Sequence, residues 1–231
     1  MYFAKYKELS MGISCMILGE SGRGKSRSIG KLNPKETIVI KSISKPFPFK
    51  SSEWTKLSSD GTDGSVVSTD KYSVIENIIM KAHSLGRKVV VIDDAQYLMA
   101  NEFMNKSSDK GFDKFTVIAK NMWSLINTAN EKTPEDLRVY FLQHTETTAD
   151  GSKKAKTIGK MLDDKITLEG MFTIVLNADK ENQNYFFTTQ NSGNDTGKSP
   201  EGMFDSFRID NDLRKVDDAI CDYYGLTKQE N

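Results

Sequence analysis

Residues 19–26, GESGRGKS, constrain the fold of this chain more than any other stretch of its sequence. They match the pattern G-x-x-x-x-G-K-[ST], in which a glycine-rich loop joins a strand to a helix and surrounds phosphate groups with backbone N–H groups. The context fits, because residues 13–18 predict a strand before the loop and residues 24–31 predict the start of a helix after it. The motif therefore predicts a phosphate-binding strand–loop–helix unit, with a chance glycine-rich turn as the alternative.

Each residue type in this loop suits one part of a magnesium–ATP complex. Gly19, Gly22 and Gly24 allow the backbone to turn its amides inward, where side chains would clash with phosphate. Lys25 supplies a mobile cation for the β- and γ-phosphate oxygens, and Ser26 supplies a hydroxyl for Mg²⁺. The positive end of the helix dipole would add to the attraction. The residues that we expect to bind ATP are Gly19, Glu20, Ser21, Gly22, Arg23, Gly24, Lys25, Ser26 and Arg27.

A second motif, VVVIDD, ends in two carboxylates. Its apolar run at residues 88–93 predicts a strand that is buried on both faces. A Mg²⁺–nucleotide site needs a carboxylate at the end of such a strand, and Asp93 is the predicted magnesium partner, directly or through an intervening group. Asp94 occupies the place where many ATPases carry a glutamate that polarises the attacking water. The alternative for both is a solvated carboxylate at a strand end.

The strand at residues 138–143, RVYFLQ, ends in two further polar residues, Gln143 and His144. If this strand lies beside the phosphate-loop strand, its carboxyl end points at the γ-phosphate. Gln143 or His144 is then a candidate for sensing the γ-phosphate or orienting water. A purely structural role for either side chain remains open at this point.

Strand-like and helical segments alternate along the chain, which predicts a mainly parallel sheet with helices on both faces. The predicted fold class is α/β, a three-layer sandwich with a RecA-like P-loop NTPase core, and we expect one domain over residues 1–231. Residues 46–70, rich in proline, glycine, serine and aspartate, read as a long excursion, residues 145–157 as a polar loop, and residues 205–231 as a helical tail. Further strands are expected at residues 37–43, 172–177 and 185–189, and further helices at residues 72–84, 112–130, 158–168 and 212–224.

The charge balance limits how this chain could hold nucleic acid. It has 32 basic and 32 acidic residues, so contact with DNA needs a local patch. The candidate patch lies in DGSKKAKTIGK and consists of Lys153, Lys154, Lys156 and Lys160. These lysines could follow a DNA backbone, neutralise the γ-phosphate of a neighbouring subunit, or simply form a solvated cluster. The aromatic residues 185–187 fit the core better than a base-stacking platform.

Several features favour a cytoplasmic protein. No stretch has the roughly 18 apolar residues that a membrane span needs, and residues 1–10, MYFAKYKELS, do not resemble a secretory signal. The two cysteines, Cys15 and Cys221, form neither a disulfide framework nor a zinc pattern.

The chain resembles the phage-encoded RecA-like ATPases of the Sak-four type, small recombinases that work with single-stranded DNA. The segments that carry this resemblance span nearly the whole chain; they are GESGRGKS, KSISKPFPF, VVVIDDAQYLM, HTET with GSKKAKTIGKMLDDKITLEGMFTIVL, and TGKSPEGMF at residues 196–204. The resemblance implies ATP and Mg²⁺, assembly into a homo-oligomeric filament or ring, annealing or strand exchange of single-stranded DNA, and a single-strand-binding protein as a further partner. Asp94 departs from the usual glutamate and leaves the hydrolytic base open.

Two functional hypotheses follow, with a small-molecule kinase as a third and weaker one. The first is an ATP-driven recombination protein that grips single-stranded DNA. The second is a nucleotide-gated loader or accessory module that recruits a protein partner without gripping DNA.

Overall fold

The computed structural model describes residues 11–230. Within them, nine strands join in one sheet. Six of these run parallel, in the spatial order β3-β2-β4-β5-β1-β7, while β8 and β9 continue the sheet antiparallel and β6 forms a hairpin with the end of β5. The strands are β1 (Ile13–Gly19), β2 (Thr37–Lys41), β3 (Val66–Ser68), β4 (Val89–Asp93), β5 (Arg138–Thr147), β6 (Lys153–Ala155), β7 (Ile174–Glu181), β8 (Asn184–Thr188) and β9 (Arg208–Asp210).

Helices cover both faces of this sheet and give three layers. On one face lie α1 (Tyr72–Ala82), α2 (Gln96–Asn105) and α3 (Asp113–Glu131). On the other face lie a 3₁₀ helix (Ser26–Lys31) and α4 (Leu213–Tyr224). The central strands β1, β2, β4 and β5 are buried on both faces, which explains their nearly continuous apolar sequences. No helix within residues 11–230 is long and apolar enough to cross a membrane.

Under the sheet, on the α4 face, lies a fully buried charged cluster. The Asp217 carboxylate accepts hydrogen bonds from Arg138 Nε at 3.0 Å, from Arg138 Nη2 at 2.7 Å and from the Tyr140 hydroxyl at 2.7 Å. All of these charges are removed from water, so removing one partner would leave the other buried and unpaired. The cluster ties α4 to the amino-terminal end of β5.

The structure differs from the sequence-based expectation at the phosphate loop. The segment that follows it is a 3₁₀ helix of six residues, where an α-helix was expected. Its sequence, SRSIGK, contains two serines and a glycine, which are weak helix formers, and Leu32 is already extended ahead of Pro34. The helix predicted to start at residues 24–31 is therefore a single short 3₁₀ segment, and its dipole is correspondingly small.

Other segments were also misjudged from the sequence. The excursion at residues 46–70 contains β3, which is too short to leave a pattern, and the helix α2 was not predicted. The polar loop expected at residues 145–157 is largely the β5–β6 hairpin. The helix expected at residues 158–168 is a π-helix (Met161–Ile166) followed by a 3₁₀ helix (Leu168–Met171), and the helical tail begins with β9. The expectations about a signal in residues 1–10 lie outside the described residues.

Candidate nucleotide-binding site

The sheet brings the sequence motifs together at the carboxyl ends of its parallel strands. Gly19, the last residue of β1, lies beside His144 of β5. Asp93, the last residue of β4, lies beside Lys41, the last residue of β2. Open α/β sheets bind their ligands at this edge. A cavity of about 480 Å³ opens here; it is lined by Ser21, Gly22, Gly24, Lys25, Ser26, Arg27, Lys45, Pro46, Pro48, Asp94, His144 and Tyr185.

The glycines of the loop meet two different requirements. Gly22 and Gly24 have φ angles of 78° and 93°, which other L-residues rarely adopt. At Gly24 a Cβ would also lie 2.7 Å from the ring of Tyr185. At Gly19 the constraint is packing, because a Cβ there would lie 2.8 Å from the backbone oxygen of Ala178. The tight turn of the loop therefore depends on Gly22 and Gly24.

Lys25 is folded into the loop. Its ammonium donates hydrogen bonds to the backbone oxygens of Gly19 at 2.6 Å and Glu20 at 3.0 Å, and only 5% of the residue is exposed. Burial lowers the pKa of Lys25 to about 8, although the negative charges of Asp94 and Asp93 oppose this shift. Lys25 is thus a cation held by two neutral carbonyl groups, which an anionic ligand could replace.

Ser26, which lines the cavity, forms a hydrogen-bonded pair with Asp93 behind it. The Ser26 hydroxyl donates to the Asp93 carboxylate at 2.7 Å, and Asp93 is 2% exposed. Burial and the neighbouring Asp94 raise the pKa of Asp93, while the Ser26 hydrogen bond opposes the rise. In the part of the chain that the structure describes, no group of three or more His, Cys, Asp or Glu residues could hold a metal. The pair nevertheless fits Mg²⁺, which takes one or two protein oxygens and completes its shell with phosphate and water.

Asp94 has an unusual backbone and two charged neighbours. Its φ of 59° lies in the left-handed region, which aspartate tolerates better than most residues. Its carboxylate contacts His144 Nε2 at 3.2 Å and forms an ion pair with Lys45. Burial alone would raise the pKa of Asp94, but the His144 hydrogen bond and the Lys45 ammonium outweigh burial and hold it at about 2. Asp94 is therefore ionised at neutral pH.

The two polar residues at the end of β5 point in different directions. His144 lines the cavity beside Asp94 and packs edge-on against Tyr97, with 5.8 Å between the ring centroids. Gln143 is fully buried, does not line the cavity, and donates from Nε2 to the Lys156 backbone oxygen at 2.6 Å. Of the two candidates, only His144 is positioned to meet a ligand in the cavity.

The loop residues Glu20 and Arg23 also face away from the cavity. Arg23 pairs with Glu20 at 3.1 Å and with Asp179 of β7 at 2.9 Å. Together with Gly19 and Lys153 these side chains line a smaller, separate cavity of about 260 Å³. They fasten the loop to its surroundings, so six of the nine loop residues expected to bind ATP line the larger cavity; these are Ser21, Gly22, Gly24, Lys25, Ser26 and Arg27.

The four lysines of the predicted basic patch divide into two pairs. Lys153 on β6 pairs with Glu20 of the phosphate loop at 3.3 Å, and Lys154 pairs with Asp163 and with Glu146 at 3.5 Å. Lys156 and Lys160 are exposed, and neither forms an ion pair with any residue from 11 to 230. The β5–β6 hairpin thus contacts the phosphate loop through one lysine.

Four cavity residues were not identified as site residues from the sequence; two of them, Lys45 and Tyr185, have side chains that can interact with a ligand through charge or an aromatic ring, and the others are Pro46 and Pro48. Lys45 follows β2 closely, so the rule that parallel strands end at one edge could have found it. Tyr185 was placed in the core with its neighbours, but only Phe187 is fully buried. Tyr185 lines the cavity, with the guanidinium of Arg27 5.0 Å and the ammonium of Lys180 4.8 Å from its ring centroid.

A cavity of similar volume, about 470 Å³, lies at the opposite edge of the sheet, near Gly12, Glu131 and Tyr224. It contains none of the motif residues. The strand ends that gather at this edge are amino ends, where sheets of this kind do not place their ligand sites.

No protein-family model and no curated protein matches the chain. Among solved structures, it is similar to a KaiC-like protein from the hyperthermophilic archaeon Pyrococcus horikoshii OT3, at 11% identity and a TM-score of 0.42, over 80% of this chain and 83% of that one. It is also similar to the P4 protein from bacteriophage phi6 in complex with ADP, at 15% identity and a TM-score of 0.40, over 80% of this chain and 59% of that one. These likenesses carry no argument about function.

The strand order itself decides the fold class. One strand, β5, separates the phosphate-loop strand β1 from the Asp93 strand β4, and helices cover both faces. This is the arrangement of the ATPase branch that includes the RecA-like proteins. The chain therefore has the architecture predicted from its sequence, a three-layer α/β sandwich around a mainly parallel sheet, with a strand order as in RecA-like proteins.

Proposed function

We propose that this protein binds ATP with Mg²⁺ in the cavity at residues 19–26 and hydrolyses it. The observation that carries the proposal is the 2.7 Å hydrogen bond between Ser26 and Asp93, beside a buried lysine in a glycine-rich loop. A serine hydroxyl and a strand-end carboxylate at this distance are the two protein groups that a Mg²⁺–triphosphate requires.

Each residue then has a distinct task. The loop amides and Lys25 bind the β- and γ-phosphates, and Lys25 exchanges its two carbonyl partners for phosphate oxygens. Bound Mg²⁺, held by Ser26 and Asp93, would supply additional positive charge to the phosphates. Asp94, ionised and beside His144, is suited to orient a water molecule at the γ-phosphorus.

In the proposed hydrolysis, these residues account for each bond that forms or breaks and for the transferred proton. The water oxygen forms a bond to the γ-phosphorus as the bond from phosphorus to the β–γ bridging oxygen breaks. That oxygen leaves on ADP, its negative charge compensated by Lys25, and Asp94 accepts the proton of the attacking water. The proton passes to the inorganic phosphate product, which restores the carboxylate.

A finer proposal concerns the process that ATP binding and hydrolysis drive. We propose that ATP binding drives a recombination activity on single-stranded DNA, in a homo-oligomeric filament or ring in the cytoplasm, with a single-strand-binding protein as a further partner. Exposed Lys156 and Lys160 support DNA contact, and the ion pair of Lys153 with Glu20 supports communication between the hairpin and the phosphate loop. Because the net charge is zero, such contact must be local.

A second candidate function is a nucleotide-gated loader that recruits a protein partner. It is favoured by the ion pairs of Lys153 and Lys154, which are satisfied within the chain and leave two of the four lysines for DNA. In this case the hairpin changes position with the nucleotide but does not contact a DNA backbone.

The nucleotide site is tested by replacing Lys25 with alanine. We expect Lys25→Ala to abolish ATP hydrolysis and to weaken ATP binding greatly, because one phosphate-facing cation is lost. Turnover is measured by phosphate release and binding by calorimetry. Unchanged turnover in this variant would show that hydrolysis takes place elsewhere.

The DNA proposal is tested by the salt dependence of single-stranded DNA binding, with and without ATP. Each lost phosphate contact lowers the slope of log affinity against log salt by about 0.7 for single strands, so Lys156→Ala with Lys160→Ala should lower it by about 1.4. The matched control replaces two exposed lysines on other elements, Lys81 and Lys120. A wild-type protein that binds no DNA, or a slope equal in the two double variants, would favour the loader.

A further inference from the structure

Lys45 is a cavity residue that the proposed mechanism does not use. It lies in the segment after β2, and its ammonium forms an ion pair with Asp94, the residue suited to orient water. It lines the same cavity as Lys25 and Ser26. The side chain of Lys45 is 47% exposed and that of Asp94 is 4% exposed, so the cation reaches in from the solvent side.

The backbone around Lys45 is held in place by its neighbours. The Lys41 ammonium donates to the Lys45 backbone oxygen and also lies 4.4 Å from the ring centroid of Phe47. Phe47 stacks on Phe49, with 4.8 Å between the ring centroids. Proline at positions 46 and 48 fixes two further φ angles. The Lys45 backbone is thus anchored, while its side chain, half exposed, remains free to change partner.

The distribution of charges in the cavity indicates a role for the Lys45 side chain. Among the described residues that line the cavity, the cations are Lys25, Arg27 and Lys45. Arg27 is engaged with Asn211 and with the ring of Tyr185. Lys45 is the cation next to Asp94 and His144, where the water-orienting carboxylate lies. A triphosphate brings negative charge close to this carboxylate, and a cation between them would relieve the repulsion.

The ammonium groups of Lys45 and Lys25 also influence each other. The positive charge of Lys45 contributes to the lowered pKa of Lys25, after burial, which is the main cause. An anion bound between these two cations would be attracted by both.

We propose that Lys45 is a second γ-phosphate-binding cation, which leaves Asp94 when ATP binds and thereby frees that carboxylate to orient the attacking water. This inference rests on the proposed ATP site. It makes Lys45 a catalytic residue that distinguishes ATP from ADP, since only ATP carries the phosphate that it contacts. Without nucleotide, the ion pair with Asp94 keeps the water-orienting carboxylate engaged.

The test compares the affinities for a non-hydrolysable ATP analogue and for ADP, both measured by calorimetry with Mg²⁺. Lys45→Met removes the charge at similar length, and we expect it to weaken the analogue about 10–100-fold, the range of a hydrogen bond to a charged group. ADP affinity should change less than twofold. Lys45→Arg should restore most of the analogue affinity, and Lys56→Met, at an exposed lysine of the same excursion, is the matched control.

The possible outcomes separate the inference from the function on which it rests. Equal loss of analogue and ADP affinity in Lys45→Met would assign Lys45 a structural role and overturn the inference alone. Faster ATP hydrolysis in Lys45→Met would also overturn it, because Lys45 would then act only as a lock on Asp94. Wild-type protein that binds neither nucleotide would refute the proposed function itself. As a second variant, Asp94→Asn should retain or strengthen analogue binding, because Lys45 is released; a tenfold loss there would contradict the exchange of partners.

Discussion

The buried Lys25 makes ATP binding sensitive to pH in a way that can be worked out from its surroundings. Burial among the backbone carbonyls of the loop lowers its pKa to about 8 in the nucleotide-free protein. A bound triphosphate favours the charged ammonium and must raise that pKa. Affinity for ATP is therefore nearly complete at pH 7 and falls as the pH rises through 8 towards the higher pKa of the complex.

The magnitude follows from the fraction of Lys25 that is protonated. One pH unit above its pKa, about one tenth of the lysine carries a proton, so binding first costs about 1.4 kcal/mol to protonate it. We expect the dissociation constant for ATP to rise roughly tenfold between pH 7 and pH 9, with about a fivefold rise between pH 8 and pH 9. Other charges contribute little in this window, because Asp94 holds the pKa of Lys45 above its ordinary value, and phosphate titrates nearer pH 6.

The assay is calorimetry of a non-hydrolysable ATP analogue with Mg²⁺ from pH 7 to pH 9.5, in pairs of buffers that differ in ionisation enthalpy. Wild-type protein should take up close to one proton per bound analogue at pH 9 and almost none at pH 7. In Lys25→Met, binding is weak and its residual pH dependence should disappear. A wild-type affinity that is constant within twofold over this range, without proton uptake, would refute the assignment of Lys25 as the buried phosphate-binding cation.

Two further predictions use pairs of neighbouring positions. Gly24→Ala should weaken nucleotide binding more than tenfold, because the new methyl group would lie 2.7 Å from the Tyr185 ring. Gly22→Ala should carry only backbone strain of about 1–2 kcal/mol, because no atom lies within 4 Å of its new methyl group. Equal nucleotide affinities in the two variants would contradict this packing. Asp217→Ala should lower the free energy of unfolding in urea by about 3–5 kcal/mol, and Asp218→Ala, whose arginine partner lies near the surface, by less than about 1 kcal/mol. Similar losses in the two aspartate variants would show that the buried cluster is not a stabilising element.

The sequence predicted the site best where chemistry and backbone geometry coincide. The loop at residues 19–26 and the apolar strand before Asp93 each carry a local signal, and the parallel sheet then brings Ser26 and Asp93 within 2.7 Å. Because the carboxyl ends of parallel strands meet at one edge of the sheet, His144 also lies beside the end of the phosphate-loop strand. These predictions needed only the alternation of strands and helices.

Of the remaining features, one follows from local residues that were overlooked and two depend on tertiary contacts. The helix after the phosphate loop is a short 3₁₀ segment, because its weak helix formers are followed by an extended Leu32 and by Pro34. Lys45 enters the cavity because the stacked rings of Phe47 and Phe49 and the Lys41 ammonium anchor its segment. The predicted basic patch is half neutralised, because Lys153 pairs with Glu20 of the phosphate loop and Lys154 pairs with Asp163 of the π-helix. The positions of Lys45 and of the basic patch were thus decided by packing and by partners on other elements.

The central claim is tested most directly by a crystal structure with Mg²⁺ and a non-hydrolysable ATP analogue. We expect a triphosphate enclosed by the amides of residues 19–26, with Lys25 turned away from the oxygens of Gly19 and Glu20 and with the metal at Ser26. An analogue bound at another cavity, with Lys25 still on its two carbonyl partners, would contradict that claim.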